Sequence, residues 1–215
     1  MTKPRLLKLS LRRRLRQVVR AVRRMPRRRV IIVSFFAAFA GIFMVQQQAM
    51  NLHYTQLLDV IAQGESHGNY NAYYGNADNQ SVKFTDMTVA EVLAWQDEFV
   101  GAGNASSAVG KYQFLNTTLE GLVNELGVSR TARFDAVLQD KLATQLIKRR
   151  GAEQYARGDI SREQFAHNLS KEWAALPRVI GANPTASYYD GDGMNHAHIS
   201  IAQVLAAVET LRERV

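Results

Sequence analysis

The chain has no cysteine among its 215 residues, which excludes disulfide frameworks, thiolate zinc sites and cysteine nucleophiles. Its first 29 residues contain no acid, although thirteen of them are Lys or Arg. The remainder carries fourteen basic and nineteen acidic residues, so it is acidic by five charges while the whole chain stands at +8. The basicity that would suggest a nucleic-acid-binding domain is therefore confined to an arm. Charged residues are scarce overall, 21% against 47% apolar, a balance that excludes disordered and fibrous classes. The length fits one domain with appendages.

Charge is also missing from residues 30–45, which read VIIVSFFAAFAGIFMV. At about 1.5 Å per residue a helix here covers roughly 24 Å, and continuing to Met50 brings it to roughly 31 Å, one hydrocarbon thickness. Gln46, Gln47 and Gln48 make the span a marginal one, and a buried core helix is the alternative. Thirteen cations on one flank satisfy the positive-inside rule, so residues 30–50 are expected to be a transmembrane signal anchor. The arm, residues 1–29, then stays in the cytoplasm and residues 51–215 lie in the periplasm. Ala38-Phe39-Ala40 resembles a signal-peptidase site, but the long basic region favours an uncleaved anchor in the inner membrane. Leu7, Leu11, Leu15, Val18 and Val22 recur at helical spacing between arginines, which suits an amphipathic helix on anionic lipid. Binding of nucleic acid by phosphate neutralisation is the competing use.

No internal repeat or low-complexity linker follows residue 50, and helical signals dominate. Leu57, Leu58, Val60 and Ile61 form an apolar stripe ending at Gly64-Glu65. Thr88 with Glu91 predicts a capping box, and Thr117 with Glu120 predicts another, ending at Gly127. Leu138, Leu142 and Leu146 recur every four residues before Gly151. Ser161 with Gln164 opens a helix bearing Phe165, Leu169 and Trp173, and Ile201, Leu205, Val208 and Leu211 mark a last one. Residues 69–85 and 182–198, rich in Asn, Gly, Tyr and Asp, predict loops, the first with a short hairpin. A small α+β, mainly helical domain with one irregular lobe is expected.

Two clusters have chemical potential. Glu65 ends an apolar helix, and a carboxyl half-sheltered there has its charged form disfavoured, so it can act as a general acid. By position alone the commoner reading is a surface Glu at a helix end. Forty-three residues later begins Ala108-Val109-Gly110-Lys111-Tyr112-Gln113-Phe114, with a Gly for close backbone approach, a Tyr for stacking and a Gln with donor and acceptor. Alone this cluster is a common loop. Asp190 to Asn195 has part of a calcium-loop pattern but lacks its terminal Glu, and His196 and His198 lack any zinc-binding partner pattern. No metal and no cofactor is expected.

Taken in order, five elements resemble those of lysozyme-fold lytic transglycosylases, and among them the phage lambda-type endolysin family. They are Gly64-Glu65-Ser66, Phe84-Thr85-Asp86, Val109-Gly110-Lys111-Tyr112-Gln113, Arg157-Gly158-Asp159-Ile160 and Trp173-Ala174-Ala175-Leu176-Pro177. Each is modest; their order over about residues 57–180 is the specific part. The resemblance implies a lysozyme-like fold, peptidoglycan glycan strands as substrate, and Glu65 as the catalytic carboxylate. It also implies that Tyr112 and Gln113 line a sugar cleft. Three features depart from the family: the arm and span, His67 after the Glu-Ser pair, and the segment beyond residue 181.

The implied reaction is cleavage of the bond between N-acetylmuramic acid and N-acetylglucosamine with one Glu as acid and then base, leaving 1,6-anhydro ends. Hydrolysis by a muramidase of the same fold needs a second carboxylate, for which Asp78 and Asp86 are the candidates. Candidate substrate-binding residues are Ser66, Tyr73, Gly110, Tyr112, Gln113 and Tyr188, with Tyr74 and Tyr189 as further aromatic faces. Ser66 reads also as a turn cap, and each tyrosine as loop packing. A non-catalytic glycan-binding or virion structural protein with a nucleic-acid-binding arm is the rival from another class.

Overall fold

Thr88 closes its helix as its spacing predicts: its hydroxyl accepts from the Glu91 backbone N–H while the Glu91 carboxylate accepts from the Thr88 N–H at 2.7 Å. The structure, a computed structural model, describes residues 54–191 and 193–211. The arm 1–29 and the anchor 30–50 lie outside the described residues. No described helix is long and apolar enough to cross a membrane.

Seven α-helices follow one another among the described residues. They are α1 (54–66), α2 (Val89–Gly101), α3 (Asn116–Glu125) and α4 (Ala136–Arg149). After these come α5 (Ala152–Arg157), α6 (Arg162–Ser170) and α7 (Ile201–Glu209). Chain neighbours pack on each other from α2 to α6, and α6 lies against α7. Leu138, Leu142 and Leu146 face inward on α4 as their four-residue spacing predicts. They join Leu57 and Ile61 of α1, Leu119 and Leu122 of α3, Phe165 of α6 and Val204 of α7 in one apolar core. Each such side chain, fully buried, contributes roughly 1.5–3 kcal/mol.

Three expectations change. The α3 box at Thr117 and Glu120 does not form; the helix starts earlier, with Leu115 at its N-cap. The Ser107 hydroxyl accepts from the Asn116 N–H at 3.0 Å, so a distant side chain supplies the cap. Its end is as expected: Gly127 takes φ +60°, and Val128 N–H donates to the Val123 carbonyl while Gly127 N–H donates to that of Asn124, a Schellman closure. On α7 the inward face is Val204, Ala207 and Val208, with Leu211 beyond, while Ile201 and Leu205 lie at its edge.

The third change is the β component. Among the described residues there are only isolated bridges, such as Tyr73 with Asn76 and Tyr73 with Val109. The lobe over 69–85 is organised by asparagine side chains instead of a hairpin ladder. Asn79, almost fully buried, donates to the Asn71 and Val82 carbonyls and accepts from the Ser81 and Val82 N–H groups. Asn69 donates to the Ala77 and Asn79 carbonyls, and Asn71 accepts from the Thr85 N–H. Side-chain amides that satisfy backbone groups locally remove the need for strand pairing. The fold is thus mainly helical with an irregular lobe.

Candidate active site

The C-terminal turn of α1 is pressed against the segment 173–177, and Gly64 makes that possible. A Cβ on Gly64 would stand 2.7 Å from the Ala175 Cβ and 2.9 Å from Ile199 Cγ1. With only hydrogen there, the Ala175 N–H reaches the next side chain and donates to Glu65 Oε1 at 3.0 Å. Ala175 is itself fixed, because its carbonyl accepts from both the His198 and Ile199 N–H groups. Beyond Ser66 the helix stops through two left-handed residues, His67 at φ +54° and Gly68 at φ +83°.

Glu65 keeps some exposure as a residue while its carboxyl group is enclosed by protein. Burial, which disfavours the charged form, pushes its pKa up from 4.5 to about 7, and the Ala175 N–H partly opposes this by stabilising the carboxylate. No charged neighbour contributes. A carboxyl with this balance exchanges its proton near neutrality, which is what one group must do to serve first as acid and then as base.

Beside this helix end runs the turn 109–114. Val109 and Phe114 exchange backbone hydrogen bonds at 3.1 and 2.8 Å, and Gly110 N–H donates to the Ala72 carbonyl at 2.7 Å. Gly110 sits at φ +79°, where an added Cβ would meet Gln139 Oε1 at 2.5 Å. That Gln139 oxygen is occupied, accepting from the Lys111 N–H at 2.9 Å. Gln113 takes φ +50°, a conformation that strains a residue with a Cβ, and its Nε2 donates to the Gly110 carbonyl. Two bonds tie the turn to the rest of the site. Ser66 Oγ donates to the Lys111 carbonyl at 2.7 Å, and Trp173 Nε1 donates to the Tyr112 carbonyl at 3.3 Å. The Glu65 helix end, the Gln113 turn and the Ala175 segment are thus one connected unit.

The sequence matches the Endolysin family over residues 55–196, a stretch that contains all three parts of this unit. The chain belongs to the endolysin family. It is accordingly a peptidoglycan-cleaving enzyme. Among solved structures it is similar to the lysozyme from bacteriophage lambda, at 20% identity and a TM-score of 0.42, covering 75% of this chain and 93% of that one. No curated protein matches the chain.

Several residues expected to touch sugar have other employment in the endolysin. Ser66 is fully buried and bonded to the Lys111 and Ala62 carbonyls, so it braces the site from behind. Tyr112 is buried as well, its ring edge-on to Phe114 and its hydroxyl donating to Asp140 at 2.7 Å. Tyr73 is half-buried in an aromatic cluster with Phe84, Trp95 and Phe99, and Gly110 is a turn residue whose N–H is bonded to Ala72. Apolar packing of these rings outweighs exposure to a polar ligand. Tyr188 remains open, 42% exposed. Asp78 and Asp86 are both exposed; the first pairs with His67 at 3.4 Å and the second with Arg133 at 4.0 Å. Neither is bonded to Glu65.

A cluster that sequence spacing did not signal lies behind the turn. Asp140 of α4 accepts from the hydroxyls of Tyr70 and Tyr112. Lys111, with a side chain only 12% exposed, lies 3.9 Å from Asp140 and 3.7 Å from Asp59 of α1, over the rings of Tyr70 and Tyr112. Burial, then the bond to Asp140, pushes both phenols well above their ordinary range. The phenols are fixed donors to α4, and Lys111 ties the turn to Asp59 of α1.

Proposed function

We propose that this endolysin is a lytic transglycosylase with Glu65 as its single catalytic carboxylate. Glu65, protonated, donates to the glycosidic oxygen between N-acetylmuramic acid and N-acetylglucosamine as the C1–O bond breaks. The acetamido oxygen of the same muramic sugar stabilises the cationic C1. The Glu65 carboxylate then takes the proton of that sugar's C6 hydroxyl, whose oxygen bonds to C1, giving a 1,6-anhydro end without consuming water. The observation that carries this reading is a carboxyl raised to about 7 by burial, with no second acid contributing. A two-carboxylate hydrolase places its partner acid within about 5–10 Å across the bond; Asp86 pairs with Arg133, and Asp78, paired with His67 two residues after Glu65, is the acid a hydrolytic reading would use. Gln113 presents an amide to the sugar, and Tyr188 offers an open ring; Ser66, Gly110 and Tyr112 position the turn.

The same proposal has residues 30–50 as an inner-membrane anchor, with residues 1–29 on the anionic cytoplasmic leaflet and the catalytic domain facing the wall in a phage-encoded lysis or entry role. Thirteen cations before sixteen uncharged residues support it. Mass analysis of muropeptides digested by the full-length protein tests the chemistry. Anhydro ends are expected; reducing ends would mean hydrolysis, and intact glycan would mean a binding protein. Membrane fractionation tests the anchor, with recovery in the soluble fraction as the contrary result.

A further inference from the structure

We propose that Lys171, Arg178 and the exposed ring of Tyr188 form a subsite for the acidic stem peptide that hangs from the lactyl group of each muramic sugar. The inference rests on the reading of Glu65 as the cleaving residue and adds a substrate requirement to it. Lys171 Nζ lies 5.8 Å from the Tyr188 ring centre and Arg178 Cζ lies 5.9 Å from it. Two cations thus share one aromatic ring, and His167 meets the same ring edge-on at 6.0 Å.

Among the described residues neither cation has a carboxylate partner, although the chain beyond its arm is acidic by five charges. The neighbouring acid Glu172 is taken by Arg150 at 2.6 Å, and exposed Asp190 is ion-paired to neither. An unneutralised cation pair on an acidic domain attracts an anion from outside.

Arg178 is held by the backbone. Its N–H donates to the Ala186 carbonyl, its Nε and one terminal nitrogen to the Ser187 and Tyr188 carbonyls, and its own carbonyl accepts from Ile180 and His167. The turn that shapes it passes through Val179 at φ +66°, a conformation that strains a β-branched residue.

Reach decides which anion fits. Arg178 follows three residues after Ala175, so their Cα atoms are at most about 11 Å apart, and the Ala175 N–H is on the Glu65 carboxyl. A peptide of three or four residues attached beside the cleaved bond spans roughly 10–14 Å when extended. Its carboxylates therefore come within reach of Lys171 and Arg178 while the glycosidic bond lies at Glu65.

The test compares two substrates with the full-length protein: glycan strands bearing stem peptides, and the same strands stripped by an amidase. Lys171→Glu is the principal variant, since among the described residues its ammonium meets the Tyr188 ring and no acid; Tyr188→Ala is the second. Lys171→Glu is expected to lower kcat/KM on stem-bearing strands by about tenfold or more, and to leave stripped strands within about twofold. The native protein should itself favour stem-bearing strands, and added salt should erase the preference. Equal rates on both substrates, or equal losses in the variant on both, would overturn the subsite while leaving the role of Glu65 intact. Failure of the native protein to cut either substrate would instead refute the reading on which the subsite rests.

Discussion

Replacing Glu65 by Gln should do two opposite things, abolish cleavage and stabilise the fold, and the second depends on pH in a calculable way. The folded carboxyl titrates at about 7 and the ordinary value is 4.5. Because the folded value is raised, the native state prefers the protonated form. The stability this group permits is therefore complete below about pH 4.5 and declines as pH rises through 7. Above 7 the decline is complete: two and a half units at 1.36 kcal/mol each is about 3 kcal/mol. A Gln cannot ionise, and its carbonyl oxygen can still accept from the Ala175 N–H. The variant should match the native protein near pH 4, exceed it by about 2 kcal/mol at pH 6 and by about 3 kcal/mol at pH 8.

For a domain of this size the difference at pH 8 corresponds to a Tm increase of roughly 6–12 °C. Calorimetric scans of both full-length proteins at pH 4, 6 and 8 read it directly. Activity on glycan strands should fall by about 10²–10⁴-fold or below detection, and native activity should decline above about pH 7 as the acid form disappears. A Tm gap that stays constant across the pH series would mean that Glu65 is solvated in the folded protein. Glu65 would then not be an acid held near neutrality, even if the variant were inactive.

Three further substitutions probe the frame around this carboxyl. Gly64→Ala forces a methyl against Ala175 and Ile199 and should destabilise by about 1–3 kcal/mol; kcat should fall more than KM changes, as steady-state kinetics will show. Ser66→Ala removes the 2.7 Å bond to the Lys111 carbonyl and should lower stability by about 1–2 kcal/mol in denaturant melts, an unchanged midpoint counting against the brace. Gln113→Gly removes a Cβ from a left-handed position, which returns roughly 1 kcal/mol of strain. It should leave thermal stability near that of the native protein while activity drops at least about tenfold, and full activity would remove Gln113 from the cleft.

What was legible in the sequence was local. Thr88 and Glu91 are three residues apart, so their mutual bonds need nothing but the helix they start. Gly127 is readable for the same reason, whereas the enclosure of Glu65 depends on Ala175 and Ile199, more than a hundred residues on. Unreadable features depend on partners far along the chain. The α3 start was displaced from Thr117 by Ser107, and the Tyr112 ring was drawn inward by Asp140, 28 residues away. The Ala175 N–H that meets Glu65 is a backbone group 110 residues distant, and every residue except proline carries one. Composition suggested a hairpin in the lobe because Asn, Gly and Tyr favour turns. The same asparagines replaced it by bonding the backbone themselves.

The position of the Ala175 amide matters more than its single bond suggests. Burial alone would drive the Glu65 pKa further upward, giving a good acid but a carboxylate too costly to form within the cleft. One opposing N–H brings the group back to about 7, where donating and recovering a proton are nearly balanced. That amide can approach because position 64 has no side chain, and it stays because its own carbonyl is held by His198 and Ile199. The resemblance to endolysins at Gly64-Glu65-Ser66 and Trp173-Ala174-Ala175-Leu176-Pro177 therefore has a physical content. The first element carries the carboxyl and the space beside it, and the second carries the amide that bonds it; in the proposed reaction that amide keeps the acid reversible.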